Sequence, residues 1–117
     1  MSLPLSGLKI LSFEQYGAGP FGTQYLADMG AEVIKVEPKE GDWARNLGQE
    51  YGQHSAFSVT ANLGKKSIVI DLKKPKSQSI LDKIIAKADI FIEGFRPGVI
   101  ESLGYSYDRL KKYNHKL

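Results

Sequence analysis

A chain of 117 residues, 42% of them hydrophobic, is long enough for one α/β domain that buries roughly two-thirds of its unfolded surface, and too short for a second. The formal charge is only +3, with the basic residues scattered among 13 acids, which argues against nucleic acid and leaves room for a small anionic ligand. The absence of cysteine excludes disulfides, zinc–thiolate sites and thiol nucleophiles, and fits a reducing compartment.

The first residues, MSLPLSGLK, lack the apolar core of a secretory leader, and no run reaches the ~20 apolar residues of a membrane span. A soluble, cytoplasmic protein with no membrane partner is expected. Leu8–Phe13 reads as a strand with few polar positions, as where both faces are covered. Gly17 to Gly19 let the chain turn, and Pro20 suits the first position of a helix. Along that helix Phe21, Tyr25, Leu26 and Met29 form an apolar stripe, closed by Gly30 as a C-terminal cap. A second strand, Glu32–Glu37, follows at once. So short a return makes the two strands parallel neighbours with a right-handed crossover. The glycine turn then lies at the carboxyl edge of the sheet, where open α/β sheets bind ligands.

From Pro38 to Gly64 the sequence is polar and lacks sustained periodicity, although Ala56–Val59 is compatible with a short helix or strand and Trp43 and Tyr51 argue against disorder. Ser67–Leu72 is rich in β-branched residues and reads as a third strand. After Pro75, the spacing of Ile80, Leu81, Ile84, Ile85 and Ala88 predicts a helix, and Asp89–Glu93 a fourth strand. Pro97 opens a short helix carrying Val99, Ile100 and Leu103. Ser106 is placed to cap a last helix through Tyr113, with Leu110 on its buried side. The β-α-β order repeats, and four such strands read as half of a mostly parallel sheet with helices on both faces.

Gly17, Gly19 and Gly22 spell G-x-G-x-x-G, with Glu37 twenty residues past the first glycine, which is the spacing of a dinucleotide fingerprint. Pro20 weakens that reading, because it removes one N–H from the turn whose amides would cradle a pyrophosphate. A plain tight turn that serves packing is the other reading. Lys65, Lys66, Lys73 and Lys74 flank the third strand as solubilising charge would, but Lys73 and Lys74 sit at its carboxyl end, beside the glycine turn. Glu93-Gly94-Phe95-Arg96-Pro97-Gly98 ends the fourth strand at the same edge. There Gly94 permits close backbone approach, Phe95 offers a stacking face and Arg96 can hold a phosphate, a set suited to an adenine nucleotide. An ordinary loop with a surface arginine would look the same. His54 and His115 have no partners at metal or catalytic spacing and read as surface residues. No nucleophile elbow, triad or assignable carboxylate pair is present. The residues alone describe a nucleotide-like edge without a catalytic centre.

Taken together, the motifs resemble the N-terminal segment of the family III CoA-transferases, a group that includes formyl-CoA transferase, carnitine CoA-transferase and α-methylacyl-CoA racemase. The resemblance rests on Gly19-Pro20, on the run Leu26 to Pro38, and on Gly41-Asp42 with Arg45. It continues through Asn62 with Gly64-Lys65-Lys66-Ser67, Asp71-Leu72-Lys73, Phe95-Arg96-Pro97-Gly98 and Leu103-Gly104. It implies that residues 1–117 are the N-terminal part of a Rossmann-like, CoA-binding α/β domain, incomplete here, with the remainder of the enzyme absent. Gly17 and Ala18 would approach coenzyme A through their backbone, and Ile70, Asp71, Leu72, Lys73, Gly94, Phe95 and Arg96 would line the nucleotide.

By the same resemblance the partners are an acyl-CoA and a small carboxylic acid, no metal is used, and the full-length protein forms a homodimer of interlocked rings. The family's aspartate nucleophile, which passes through an anhydride and then a thioester, lies beyond residue 117. No catalytic residue is therefore expected in this chain, which would be inactive alone. Gly94, Pro38 and Ser102 depart from an asparagine, an arginine and a basic residue found in some members. A NAD- or FAD-binding domain, with Glu37 on the ribose, and a non-enzymatic binding module are the two alternatives.

Overall fold

In the computed structural model, which describes residues 2–117, the elements follow in chain order as β1 (Lys9–Phe13), α1 (Ala18–Asp28), β2 (Glu32–Glu37), a 3-10 turn (Trp43–Asn46), β3 (Glu50–Tyr51), β4 (His54–Ser55), α2 (Ala56–Thr60), β5 (Lys66–Val69), α3 (Pro75–Ile85), β6 (Ile90–Glu93), α4 (Val99–Ser102) and α5 (Tyr107–Tyr113). Four strands form one parallel sheet in the order β5-β2-β1-β6, while β3 and β4 make a small separate hairpin. The connections from β1 through β2 to β5 step outward on one side, and β6 returns to the other side of β1. Strand order thus reverses between β1 and β6, the arrangement that opens a crevice at the carboxyl ends of these two strands.

Alternation along the strands divides the core in two. Leu11, Phe13 and Val36 face α3, α4 and α5, where they pack with Leu81, Ile85, Ile100 and Leu110. Ile10 and Val33 face α1 and pack with Ala31 and Leu26. Helices therefore cover both faces, as the sequence predicts.

Three expectations need correction. Helix α1 begins at Ala18 with Gly17 as its cap, so Pro20 is the third helical residue and not the first. Proline is tolerated there because N–H groups of the first turn have no intrahelical acceptor. The stripe of Phe21, Tyr25, Leu26 and Met29 is not the most buried face either, because Leu26 packs on Ile10 and Val33 while Tyr25 and Met29 are exposed. The helix buries Pro20, Thr23 and Gln24, and Tyr25 is 67% exposed. The sheet beneath its first turns is polar, and polar side chains of α1 meet it. Finally β5 ends at Val69, not Leu72, because β2 ends at Glu37, its partner in register. Ile70 keeps one bond to the Glu37 carbonyl, and the chain then leaves the sheet as a loop. Ala56–Thr60 is a helix, capped by Ser55.

Candidate functional site

The carboxyl ends of β1, β2, β5 and β6 open into a cleft of about 420 Å³. Its walls come from Phe13, Glu14 and Gln15 at the end of β1, Val36 to Glu40 at the end of β2, Ile70 to Lys73 after β5, and Phe95 with Leu103 from beyond β6. Five of the residues marked in the sequence, Ile70, Asp71, Leu72, Lys73 and Phe95, thus come together from two loops in one cavity. Gly17, Gly94 and Arg96 stand on loops of the same edge and Ala18 begins α1 there, none of them lining the cavity, and the Arg96 side chain is solvent-exposed. The floor is apolar, from Phe13, Val36, Ile70 and Leu72, and the Phe13 ring stacks on Phe91 at 4.8 Å. Lys39 and Lys73 are exposed at the rim, each close in sequence to a carboxylate, Glu40 and Asp71. An apolar slot with two lysines at a mixed-charge mouth can take a flat heterocycle and offer ammonium donors to phosphates.

On the α1 face of the same edge lies a layer of buried charge that sequence reasoning missed. Alternation puts Ser12 and Glu14 on this face of β1, and Lys35 and Glu37 on this face of β2, all buried. Lys35 pairs with the Asp42 carboxylate and donates to Asn62 Oδ1 at 3.0 Å, with its side chain 2% exposed. Lys65 is equally buried, donating to the Pro20 carbonyl at 2.7 Å with Glu14 at 3.9 Å. Burial holds the Lys65 ammonium down at about 8. Glu14 and Asp42 act against that fall, and Lys35 adds to it. Glu14 accepts from the Thr23 hydroxyl, which explains why the buried face of α1 is polar.

Glu37 is saturated. Arg45 donates to both of its oxygens, at 3.0 and 2.7 Å, the Asp42 amide donates at 2.8 Å and the Ser67 hydroxyl at 2.8 Å. Burial alone would raise its pKa, but these bonds and the Arg45 charge overcome it and hold the carboxyl at about 2. A carboxylate has about four lone-pair sites, and all are used. Glu37 therefore has no acceptor left for a ribose hydroxyl, which removes the residue on which the nicotinamide reading depends.

A signal for this layer was present in the strand EVIKVE. A strand buried on both faces that carries a lysine and a glutamate on one face must supply buried partners for them. The sequence does not say which: Asp42 and Arg45 arrive from the segment after β2, Asn62 from the turn after α2, and Ser67 from β5. His54, read as a lone surface residue, is exposed but sits with Nδ1 2.9 Å from Arg45 Nη1.

Residues 5–117 match CoA-transferase family III. The chain belongs to this family. It is 41% identical over 115 residues to the acetyl-CoA:oxalate CoA-transferase of Acetobacter aceti, a match covering 97% of this chain and 30% of that protein. The succinyl-CoA:glutarate CoA-transferase of Homo sapiens is 42% identical over 107 residues, covering 90% of this chain and 24% of that one. In the solved structure of Rv3272 from Mycobacterium tuberculosis the same fold recurs with a TM-score of 0.91 at 38% identity, over 99% of this chain and 32% of that one. The family III chain thus spans between 24% and 32% of the length of these relatives. Among its described residues no group of three or more His, Cys, Asp or Glu is placed to hold a metal ion, and no helix is long and apolar enough to cross a membrane.

Proposed function

We propose that this chain supplies the CoA-binding part of an enzyme that moves coenzyme A from an acyl-CoA to a small carboxylic acid. The observation that carries the reading is the cleft at the carboxyl edge, where the Ile70–Lys73 loop and Phe95 meet in a member of CoA-transferase family III. The adenine lies in the slot made by Ile70, Leu72 and Phe95, whose apolar surfaces gain from covering a flat ring. Lys73 and Arg96 take the phosphates as charge-assisted hydrogen-bond donors. Gly17, Ala18 and Gly94, without bulky side chains, let the ligand run close to the backbone. Relatives named for oxalate and glutarate make a short dicarboxylic acid the acceptor class. The nucleophile and the acyl site belong to sequence beyond these residues, and the complete enzyme is a cytoplasmic homodimer.

The experiment is a calorimetric titration of the chain with coenzyme A and, separately, with NAD. Saturable binding of CoA with weaker or no binding of NAD is the expected result. Tighter binding of NAD would refute the proposal and return the glycine turn to its dinucleotide reading.

A further inference from the structure

Tyr16 is the one non-glycine residue among those described with a left-handed backbone, at φ 70°. A bulky side chain takes up this conformation only where its surroundings impose it, and such residues gather at functional sites. Here the imposing group is Asp42. Its carboxylate oxygens accept from the Tyr16 amide at 3.1 and 3.3 Å, across 26 residues of sequence. Asp42 is itself fixed from three directions. It caps the 3-10 turn by accepting from the Ala44 amide at 2.9 Å, it pairs with the buried Lys35 ammonium, and the Asp42 amide is anchored on Glu37 at 2.8 Å. The Tyr16 ring, thrown outward by the left-handed turn, stacks on Trp43 at 4.3 Å and on Phe57 at 5.3 Å. Tyr16 lies between Gln15, which lines the cleft, and Gly17, which caps α1.

We infer that Asp42 is a positioning residue: its carboxylate clamps Tyr16 in the left-handed conformation and so fixes the β1–α1 turn as one wall of the CoA cleft. The inference rests on the CoA reading above. Without the clamp Tyr16 relaxes to negative φ, the peptide leading into Gly17 rotates, and Glu14 and Gln15 no longer face the ligand in the same way. The buried Lys35–Asp42 pair then has a role beyond charge neutralisation, because it aims the carboxylate at the turn.

The test is a cycle of variants titrated calorimetrically with CoA. Asp42→Ala is expected to bind at least about tenfold more weakly than the wild-type chain, the scale of a left-handed penalty. Adding Tyr16→Gly brings the affinity back to within about threefold of the Tyr16→Gly single variant, because glycine holds the turn without a clamp. No recovery in the double variant, or no loss in Asp42→Ala, overturns the inference. If Asp42→Ala does not fold, Asp42→Asn, which keeps the size of the side chain and weakens the acceptor, takes its place in the same cycle, and the absence of either the loss or the recovery overturns the inference. A wild-type chain that binds no CoA refutes the proposed function instead. The clamp is then judged by urea unfolding, where the Asp42 substitution must destabilise the wild-type chain more than it destabilises Tyr16→Gly, and equal losses overturn it.

Discussion

Glutamine in place of Glu37 should flatten the acid limb of the stability profile. Glu37 is 3% exposed and its pKa falls from 4.5 to about 2. At about 1.36 kcal/mol per pH unit, a carboxyl so held contributes roughly 3 kcal/mol at neutral pH. Between these two values the unfolded chain binds a proton that the folded chain does not, so stability falls as the pH falls through that window. By about pH 3 the contribution has shrunk to roughly 1 kcal/mol. Glutamine keeps the shape but leaves the Arg45 fork facing an amide. Urea unfolding followed by circular dichroism, at about pH 6 and again at about pH 3, gives the gap between wild type and Glu37→Gln. The gap should close from roughly 3 to roughly 1 kcal/mol on acidification. A gap that is the same at both values would refute the reasoning, since it would mean that the Glu37–Arg45 fork contributes shape and no charge.

Lys65 has the same slope with pH as Glu37, but its lowered pKa is a penalty at neutral pH instead of a gain. Its folded pKa of about 8 lies below the ordinary 10.5, so the unfolded chain holds the extra proton in that window and stability rises with pH across it, by roughly 3 kcal/mol. Lys65→Met should lack that rise in urea unfolding curves. A Cβ on Gly19 would lie 2.3 Å from Glu14 Oε2 and 2.8 Å from Glu14 Cβ. Gly19→Ala should therefore cost about 1–3 kcal/mol despite the better helix propensity of alanine, and Glu14→Ala should restore much of the loss in the double variant, as read by thermal melting. Arg96→Ala should weaken CoA binding by about 1–3 kcal/mol, the scale of a charged hydrogen bond, and an unchanged calorimetric affinity would remove Arg96 from the site.

Much of the scaffold was legible because it depends on local periodicity. The β-branched run SIVIDL, the spacing from Ile80 to Ala88 and the capping Ser106 each produced the element they signal. Errors came where tertiary contacts overrode local pattern. The α1 stripe looked apolar, but the face that packs is set by Glu14 and Lys65 beneath Thr23. The stretch from Pro38 to Gly64 looked structureless because its 3-10 turn, hairpin and α2 are held by polar bonds to distant residues, such as Asp42 to Tyr16 and Ser55 to the Ala44 carbonyl, which leave no periodic trace. Lys65 looked like solubilising charge, and only the fold shows that it is buried. The cleft was half legible. Strand-end loops rich in lysine, glycine and phenylalanine marked the edge, but which of them converge depends on the reversal between β1 and β6.

The most direct measurement is amide chemical-shift mapping of the isotope-labelled chain during titration with coenzyme A. The account predicts that amides of Ile70 to Lys73 and of Phe95 move together and saturate, that Gly17 and Ala18 respond with them, and that NAD leaves all of them in place. Saturating shifts confined to the opposite face, around Arg45, Asn62 and Lys66, with the Ile70–Lys73 loop unmoved, would contradict it.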